Sequence, residues 1–205
     1  MLASFSFILF SYLCGSIPFG LVLTKVFGKK DIRKTGSGNI GATNVFRAGN
    51  KYLAVTTLIL DVMKGYIPVV IAQEYFNNIV YLVALFSVFG HIFPIWLKFK
   101  GGKGVATYLG IISALSIQLG FLFIFTWIIV SLIFKYSSLS SMFASLTVFV
   151  VNFMRETVIL NDPLLKTTIP VTDSQILFIF FILIIFTHRK NIQNLKNKTE
   201  NKIKI

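Results

Sequence analysis

The sequence predicts an all-α integral membrane protein of seven helical segments, and three observations predict it. The 205 residues are 55% hydrophobic, with a mean hydropathy of +0.79. Only 13% are charged, about half the roughly 25% usual in soluble domains. The apolar residues gather into long uncharged runs, and the basic residues fall between alternate runs. A disordered chain, a disulfide scaffold and an ordinary soluble globule are thereby excluded. Cys14 is the single cysteine, so neither a disulfide nor a cysteine-based metal site can form within one chain.

Residues 1–24 are uncharged and lack the basic leader of a cleaved signal peptide, so they read as a first span. Gly15-Ser16-Ile17-Pro18 predicts a kink in it. Residues 52–73 are apolar apart from Asp61 and Lys64, and 75–97 and 136–154 are uncharged. Each is close to the ~20 residues a span needs. The run 174–187 is short and needs Val171 and Thr172 to extend it. The uncharged run 104–134 is 31 residues long. As one helix it would reach ~46 Å, well beyond a ~30 Å hydrocarbon core. It reads instead as two short passes that turn near Ser116 to Gly120.

Charge sidedness decides the same question. With spans at 2–24, 52–72, 79–97, 104–117, 120–134, 138–154 and 172–187, one side carries residues 25–51, 98–103, 135–137 and 188–205. These hold seven, three, one and six Lys+Arg, or 17 of the 20 in the chain. The other side holds only Arg155 and Lys166. The positive-inside rule puts the N-terminus outside and the C-terminus in the cytoplasm. The net charge of +13 is then membrane-flanking charge, whose partner is the bilayer rather than nucleic acid. The whole chain, 1–205, reads as one membrane-embedded domain without an internal repeat, ending in a mobile basic tail at about 196–205.

Polar chemistry concentrates in three predicted cytoplasmic segments. In the first, Gly36, Gly38 and Gly41 alternate with Ser37, Asn39, Thr43 and Asn44, and Arg47 follows. Glycines let the backbone approach a ligand, and successive N–H groups make a concave anion site. Arg47 adds a planar fork that matches phosphate oxygens. No Gly-Lys-Ser/Thr follows, so this is not a Walker loop. In the second, Gly101, Gly102 and Gly104 surround Lys103 just before an apolar helix. Bare N–H groups, a helix N-terminus and a compact positive charge there suit an anion. In the third, His188 and Asn191 are three residues apart and share a helical face. Asp61 and Lys64, also three apart, read as an intrahelical ion pair, with support of the first glycine-rich loop as the alternative. Gly90-His91-Ile92-Phe93-Pro94 reads as a helix bend with His91 a buried donor.

No cluster of metal-ligating residues is present, and no metal or cofactor is expected. A Gly-x-Ser-x-Gly elbow is absent, and neither histidine begins a His-x4-Asp pair, because Trp96 and Gln193 stand in those places.

Together the loops resemble the bacterial membrane acyl-phosphate:glycerol-3-phosphate acyltransferase family. The resemblance rests on Gly15-Ser-Ile-Pro-Phe-Gly20, Gly36-Ser-Gly-Asn-Ile-Gly-Ala-Thr-Asn44 with Arg47, Asp61-x-x-Lys-Gly65, Gly90-His-x-x-Pro94, Phe99-Lys-Gly-Gly-Lys-Gly-Val-Ala-Thr107 and His188-Arg-x-Asn-Ile192. It implies a seven-helix enzyme of the bacterial inner membrane with its site at the cytoplasmic face. The implied reaction moves an acyl chain from acyl phosphate to the 1-hydroxyl of glycerol 3-phosphate, giving lysophosphatidate and inorganic phosphate. A functional link to the enzyme that makes acyl phosphate is implied as well. The family's site falls on Ser37, Arg47, Lys103 and Asn191, with Asn39 and His188 beside them. The tail departs from the family pattern at Thr187, Asn194 and Lys198, although Thr199 and Glu200 remain.

An activated acyl donor with a phosphate leaving group suggests direct attack by the glycerol hydroxyl, without an acyl-enzyme. Either His188 or a substrate phosphate oxygen would take the proton. The rival expectation is a transporter or channel for a phosphorylated metabolite, although such proteins place their site at the midplane between internal repeats.

Overall fold

The computed structural model describes residues 2–28, 31–162 and 172–203. Lys29, Lys30, Lys166, Val171 and Lys204, all used in the charge and span accounting, lie outside the described residues. The described residues form ten α-helices. These are α1 (Leu2–Ser16), α2 (Phe19–Val26), α3 (Ala42–Arg47), α4 (Lys51–Tyr75), α5 (Val80–Ile92), α6 (Val105–Leu115), α7 (Ile117–Phe134), α8 (Ser137–Asn161), α9 (Ser174–Thr187) and α10 (Arg189–Lys196). Short 3-10 turns occupy Ile32–Lys34, Asn77–Ile79 and Ile95–Leu97.

Among the described residues, four stretches are long and apolar enough to cross a membrane: Lys51–Tyr75, Asn77–Leu97, Ile117–Phe134 and Ser137–Asn161. Two bent pairs bring the number to six if each is one span. One pair is α1 with α2, bent by 44° at the predicted Pro18 kink, and the other is α9 with α10, bent by 57°. The long run 104–134 is broken at Ser116, an extended residue (φ −160°, ψ 116°) between α6 and α7. This is where the sequence places a turn. At 11 residues, α6 is only ~16 Å long, so it cannot cross a ~30 Å core alone. Helix α4 runs on through Pro68, a substitution cost that helices in lipid tolerate better than helices in water.

The chain divides into two compact units, Met1–Ala114 and Leu115–Ile205. In the first, glycines let helices meet backbone to backbone. A Cβ on Gly15 of α1 would strike the Ser87 carbonyl of α5, and one on Gly90 of α5 would strike the Tyr12 carbonyl of α1. The α4–α6 crossing is reciprocal in the same way, with Gly65 against the Thr107 carbonyl and Gly110 against that of Val62. Small residues at helix contacts are what packing in lipid favours. Tyr12 Oη donates to the Phe93 carbonyl at 2.7 Å, and Trp96 Nε1 donates to Ser16 Oγ at 2.8 Å.

The ion pair expected at i, i+3 is present and buried. Lys64 Nζ lies 2.8 Å from Asp61 Oδ1 and donates to the Ile17 carbonyl at 2.7 Å. The break before Pro18 leaves that carbonyl without an i+4 helical donor; it accepts from Phe19 N at 3.1 Å, and Lys64 adds a second donor from α4. The pair thus ties α4 to the α1–α2 bend.

In the second unit, Trp127 Nε1 on α7 donates to Ser141 Oγ on α8 at 3.2 Å. Phe149 on α8 meets Phe178 on α9 with ring centroids 5.2 Å apart. Asn152 Nδ2 donates to the Thr172 carbonyl and to Ser174 Oγ, fixing the start of α9.

Candidate active site

The first glycine-rich loop is a folded structure rather than a slack connection. Asp31 caps the 3-10 turn Ile32–Lys34 by accepting from Arg33 N at 3.0 Å. Hydrogen bonds from the Arg33 side chain, at 3.0 and 2.7 Å, hold the Asp31 carboxyl well below the usual carboxylate range. Gly36 and Gly38 then take φ of +55° and +72°, a left-handed conformation that side chains resist. Ser37 stands exposed between them.

Asn44 braces this turn from within. Its Oδ1 accepts from Ser37 N at 2.9 Å, and its Nδ2 donates to the carbonyls of Ile32, Thr35 and Asn39 at 3.1, 3.1 and 2.7 Å. The sequence reading counts Asn44 among the donors to a ligand. The structure instead buries it, 1% exposed, with its amide engaged by the loop backbone. Asn39 Oδ1 accepts from Gly41 N at 3.3 Å, ahead of α3. Arg47 ends α3 and is half-buried, as is Thr43.

Beneath the loop, Ile32, Ile40 and Val45 form a small core with Leu21 of α2 and Ala54 of α4. Leu97, from the turn that leads into the second glycine-rich loop, packs on this core. The first loop and the turn that leads into the second therefore share this core.

In the second loop the glycines act differently from expectation. Gly101 N donates to the Ile92 carbonyl and Gly102 N to the His91 carbonyl, both at 3.0 Å. These N–H groups are not bare. They satisfy carbonyls at the end of α5 that a helix leaves without partners. A Cβ on Gly102 would collide with the His91 ring, and one on Gly101 with the His91 carbonyl and the Pro94 ring. Glycine is needed here to lie flat on α5. Lys103 follows, half-buried, then Gly104 at φ +79°, then α6.

The third segment belongs to the Leu115–Ile205 unit. His188 is buried at the α9–α10 bend, with Nδ1 2.8 Å from the Ile184 carbonyl. A carbonyl only accepts, so this partner assigns the ring proton to Nδ1. Asn191 is buried on α10, and its Nδ2 donates to Glu200 Oε1 at 2.7 Å.

Glu200 was missed as a site element by the sequence reading. Its carboxylate also accepts from Ser138 Oγ at 2.8 Å and from Asn194 Nδ2 at 3.3 Å, and Ile203 N donates to the Lys135 carbonyl at 2.7 Å. The segment expected to be a mobile tail thus makes these contacts with α8, α10 and the turn before α8. One acid in a lysine-rich stretch carries no periodicity that would flag it; its retention beside Thr199 was the one signal. Hydrogen bonds to a charged group are worth about 1.5–3 kcal/mol each. Glu200→Ala is expected to lower the thermal midpoint of the detergent-solubilised protein by several degrees, while Glu200→Gln loses less. A midpoint unchanged in both would show that the carboxylate braces nothing.

Comparison with known proteins decides the family. The model of the glycerol-3-phosphate acyltransferase family matches residues 5–198. The chain belongs to this family. A glycerol-3-phosphate acyltransferase of Pelagibacter ubique is 49% identical over 195 residues, 95% of either chain, and one of Ehrlichia canis is 45% identical over 200 residues, 97% of either chain. The crystal structure of PlsY, an integral membrane glycerol 3-phosphate acyltransferase, in its glycerol 3-phosphate form superimposes with a TM-score of 0.87 at 36% identity, covering 98% of this chain and 96% of that one. Its lysophosphatidic acid form gives 0.84 at 35% identity with the same coverage. The acyltransferase resemblance drawn from the loops is thus borne out at the level of family and membrane fold.

Proposed function

We propose that this protein transfers an acyl group from acyl phosphate to the 1-hydroxyl of glycerol 3-phosphate at the cytoplasmic face of the bacterial inner membrane. The observation that carries the reading is the folded first glycine-rich loop, whose core also seats the turn leading into the second, in a chain that matches an acyltransferase family almost end to end. In the proposed topology seven helical segments run with the N-terminus outside, α6 and α7 being the two segments of the run 104–134, of which α6 is too short to span the core alone. The enzyme that makes acyl phosphate is the expected supplier.

The chemistry suits the substrates. Acyl phosphate carries a tail for lipid and a phosphate for the interface, whereas glycerol 3-phosphate is a water-soluble anion. In the proposed step the glycerol oxygen bonds to the acyl carbon, the bond from that carbon to the phosphate oxygen breaks, and the hydroxyl proton leaves for a base. Lys103, at the start of α6, stabilises the departing phosphate together with the helix terminus. With the Gly101 and Gly102 N–H groups engaged by α5, this duty falls on the lysine ammonium. Ser37, exposed on a rigid turn, and Arg47 orient the glycerol 3-phosphate. On motif grounds Asn191 assists with phosphate, and either His188 or a phosphate oxygen of the substrate takes the proton.

The test uses purified full-length protein in detergent with acyl phosphate and radiolabelled glycerol 3-phosphate. Lysophosphatidate and inorganic phosphate are expected in equal amounts. Product from an acyl thioester but not from acyl phosphate would overturn the donor. An acylated Ser37 trapped with acyl phosphate alone would overturn direct attack. Movement of intact glycerol 3-phosphate into proteoliposomes, with no ester formed, would establish the transport reading instead.

A further inference from the structure

We propose that His91 is a positioning residue that sets the height and direction of Lys103 by serving as the platform on which Gly101 and Gly102 lie. The proposal rests on the reading of Lys103 as a phosphate ligand. His91 is 4% exposed, and three sets of contacts converge on it. Its main-chain carbonyl accepts from Gly102 N at 3.0 Å, with the neighbouring Ile92 carbonyl accepting from Gly101 N. Its ring fills the space a Gly102 side chain would need, touching that space with Nε2, Cδ2 and Cε1. Its Nδ1 lies 3.2 Å from Thr107 Oγ1 in the first turn of α6.

One imidazole therefore touches the loop on one side of Lys103 and the helix on the other. Behind it, Asp61 Oδ1 stands 3.9 Å from Nδ1 and is itself held by Lys64. Tethered to the Ile17 carbonyl, that ion pair limits how far the ring can retreat. Lys103 is fixed by its two flanks, and both flanks are fixed by His91. Such an arrangement matters because misplacing a charge by about 1 Å can cost on the order of 10²-fold in rate.

The experiment measures kcat and the KM for glycerol 3-phosphate, normalised to folded protein, for His91→Ala, His91→Asn, Gly102→Ala, the His91→Ala/Gly102→Ala double variant and Lys103→Ala. His91→Ala is expected to lose about 10²-fold in kcat/KM. His91→Asn, which keeps a polar group near Nδ1, should recover part of it. Gly102→Ala should be impaired, and the double variant should be more active than Gly102→Ala, because the added methyl enters the vacated ring space. A destabilised His91→Ala does not blunt the test, since the comparison between Gly102→Ala and the double variant reads in the opposite direction from lost stability. Wild-type kcat and KM in folded His91→Ala, or a double variant no better than Gly102→Ala, would overturn the proposal. Lys103→Ala separates the two ideas. If it retains wild-type rates, the phosphate reading fails; if it is inactive while His91→Ala is normal, only the platform fails.

Discussion

Lys103→Ala is expected to lower kcat/KM for acyl transfer by about 10³-fold, with the protein still inserted, folded and monodisperse in detergent. Removing one hydrogen-bond donor from a developing oxyanion costs about 10²–10³-fold, and a full positive charge facing a leaving phosphate is worth the upper end of that range. The side chain is half-buried, so the rates are normalised to folded protein. Lys103→Arg keeps the charge but spreads it over a larger planar group, and an intermediate rate is expected. Steady-state kinetics of the three proteins, read beside their melting curves, decide the matter. Rates equal to wild type in Lys103→Ala would remove the phosphate clamp from the proposed chemistry.

The second large effect is expected at Asn44. Its two amide hydrogens are shared among three carbonyls and its oxygen accepts one bond, all within a single loop. Asn44→Ala takes that partner from the Asn39 carbonyl and the Ser37 N–H, whereas the Ile32 and Thr35 carbonyls still accept from Thr35 N and Gly38 N. Each buried polar group left unsatisfied costs about 1–3 kcal/mol, and water entering from the exposed side recovers some of it, so a loss of about 3 kcal/mol is expected. Asn44→Asp should be worse than alanine. It preserves shape but presents a carboxylate to three carbonyl oxygens. The readouts are the melting midpoint, cleavage by trypsin at Arg33 or Lys34, and the KM for glycerol 3-phosphate, which should rise as Ser37 loses its fixed position. A variant with wild-type melting and wild-type KM would show that the loop holds itself without its brace.

Much of the fold could be read from local rules. An uncharged run of 31 residues is too long for one crossing, and the chain breaks at Ser116. Pro18 bends the first span, and Asp61 and Lys64, one turn apart, pair. These outcomes depend on residues near one another in sequence, or on a single length compared with a bilayer. The partners that give the loops their shape were harder to see. Nothing in the sequence says that Gly101 and Gly102 spend their N–H groups on α5, because that depends on how a left-handed turn at Lys98 and Phe99 swings the chain back.

The same difficulty explains the misreading of Asn44. An amide in a glycine-rich stretch looks the same whether it faces a ligand or its own loop. Only three-dimensional proximity separates the two. Glu200 was hidden for a different reason. Its value lies in Ser138, 62 residues away, and in an Asn191 that otherwise looks like a free donor.

The bond from Lys64 to the bent first span has a consequence for biogenesis. Because Asp61 and Lys64 occupy the same helix, their charges can cancel while α4 is still an isolated segment leaving the translocon, so the helix partitions into lipid as an electrically neutral rod. The ammonium is then in place to take the Ile17 oxygen when α4 packs on the first span. The polar lock is carried into the bilayer already disarmed and engages once its two helices meet.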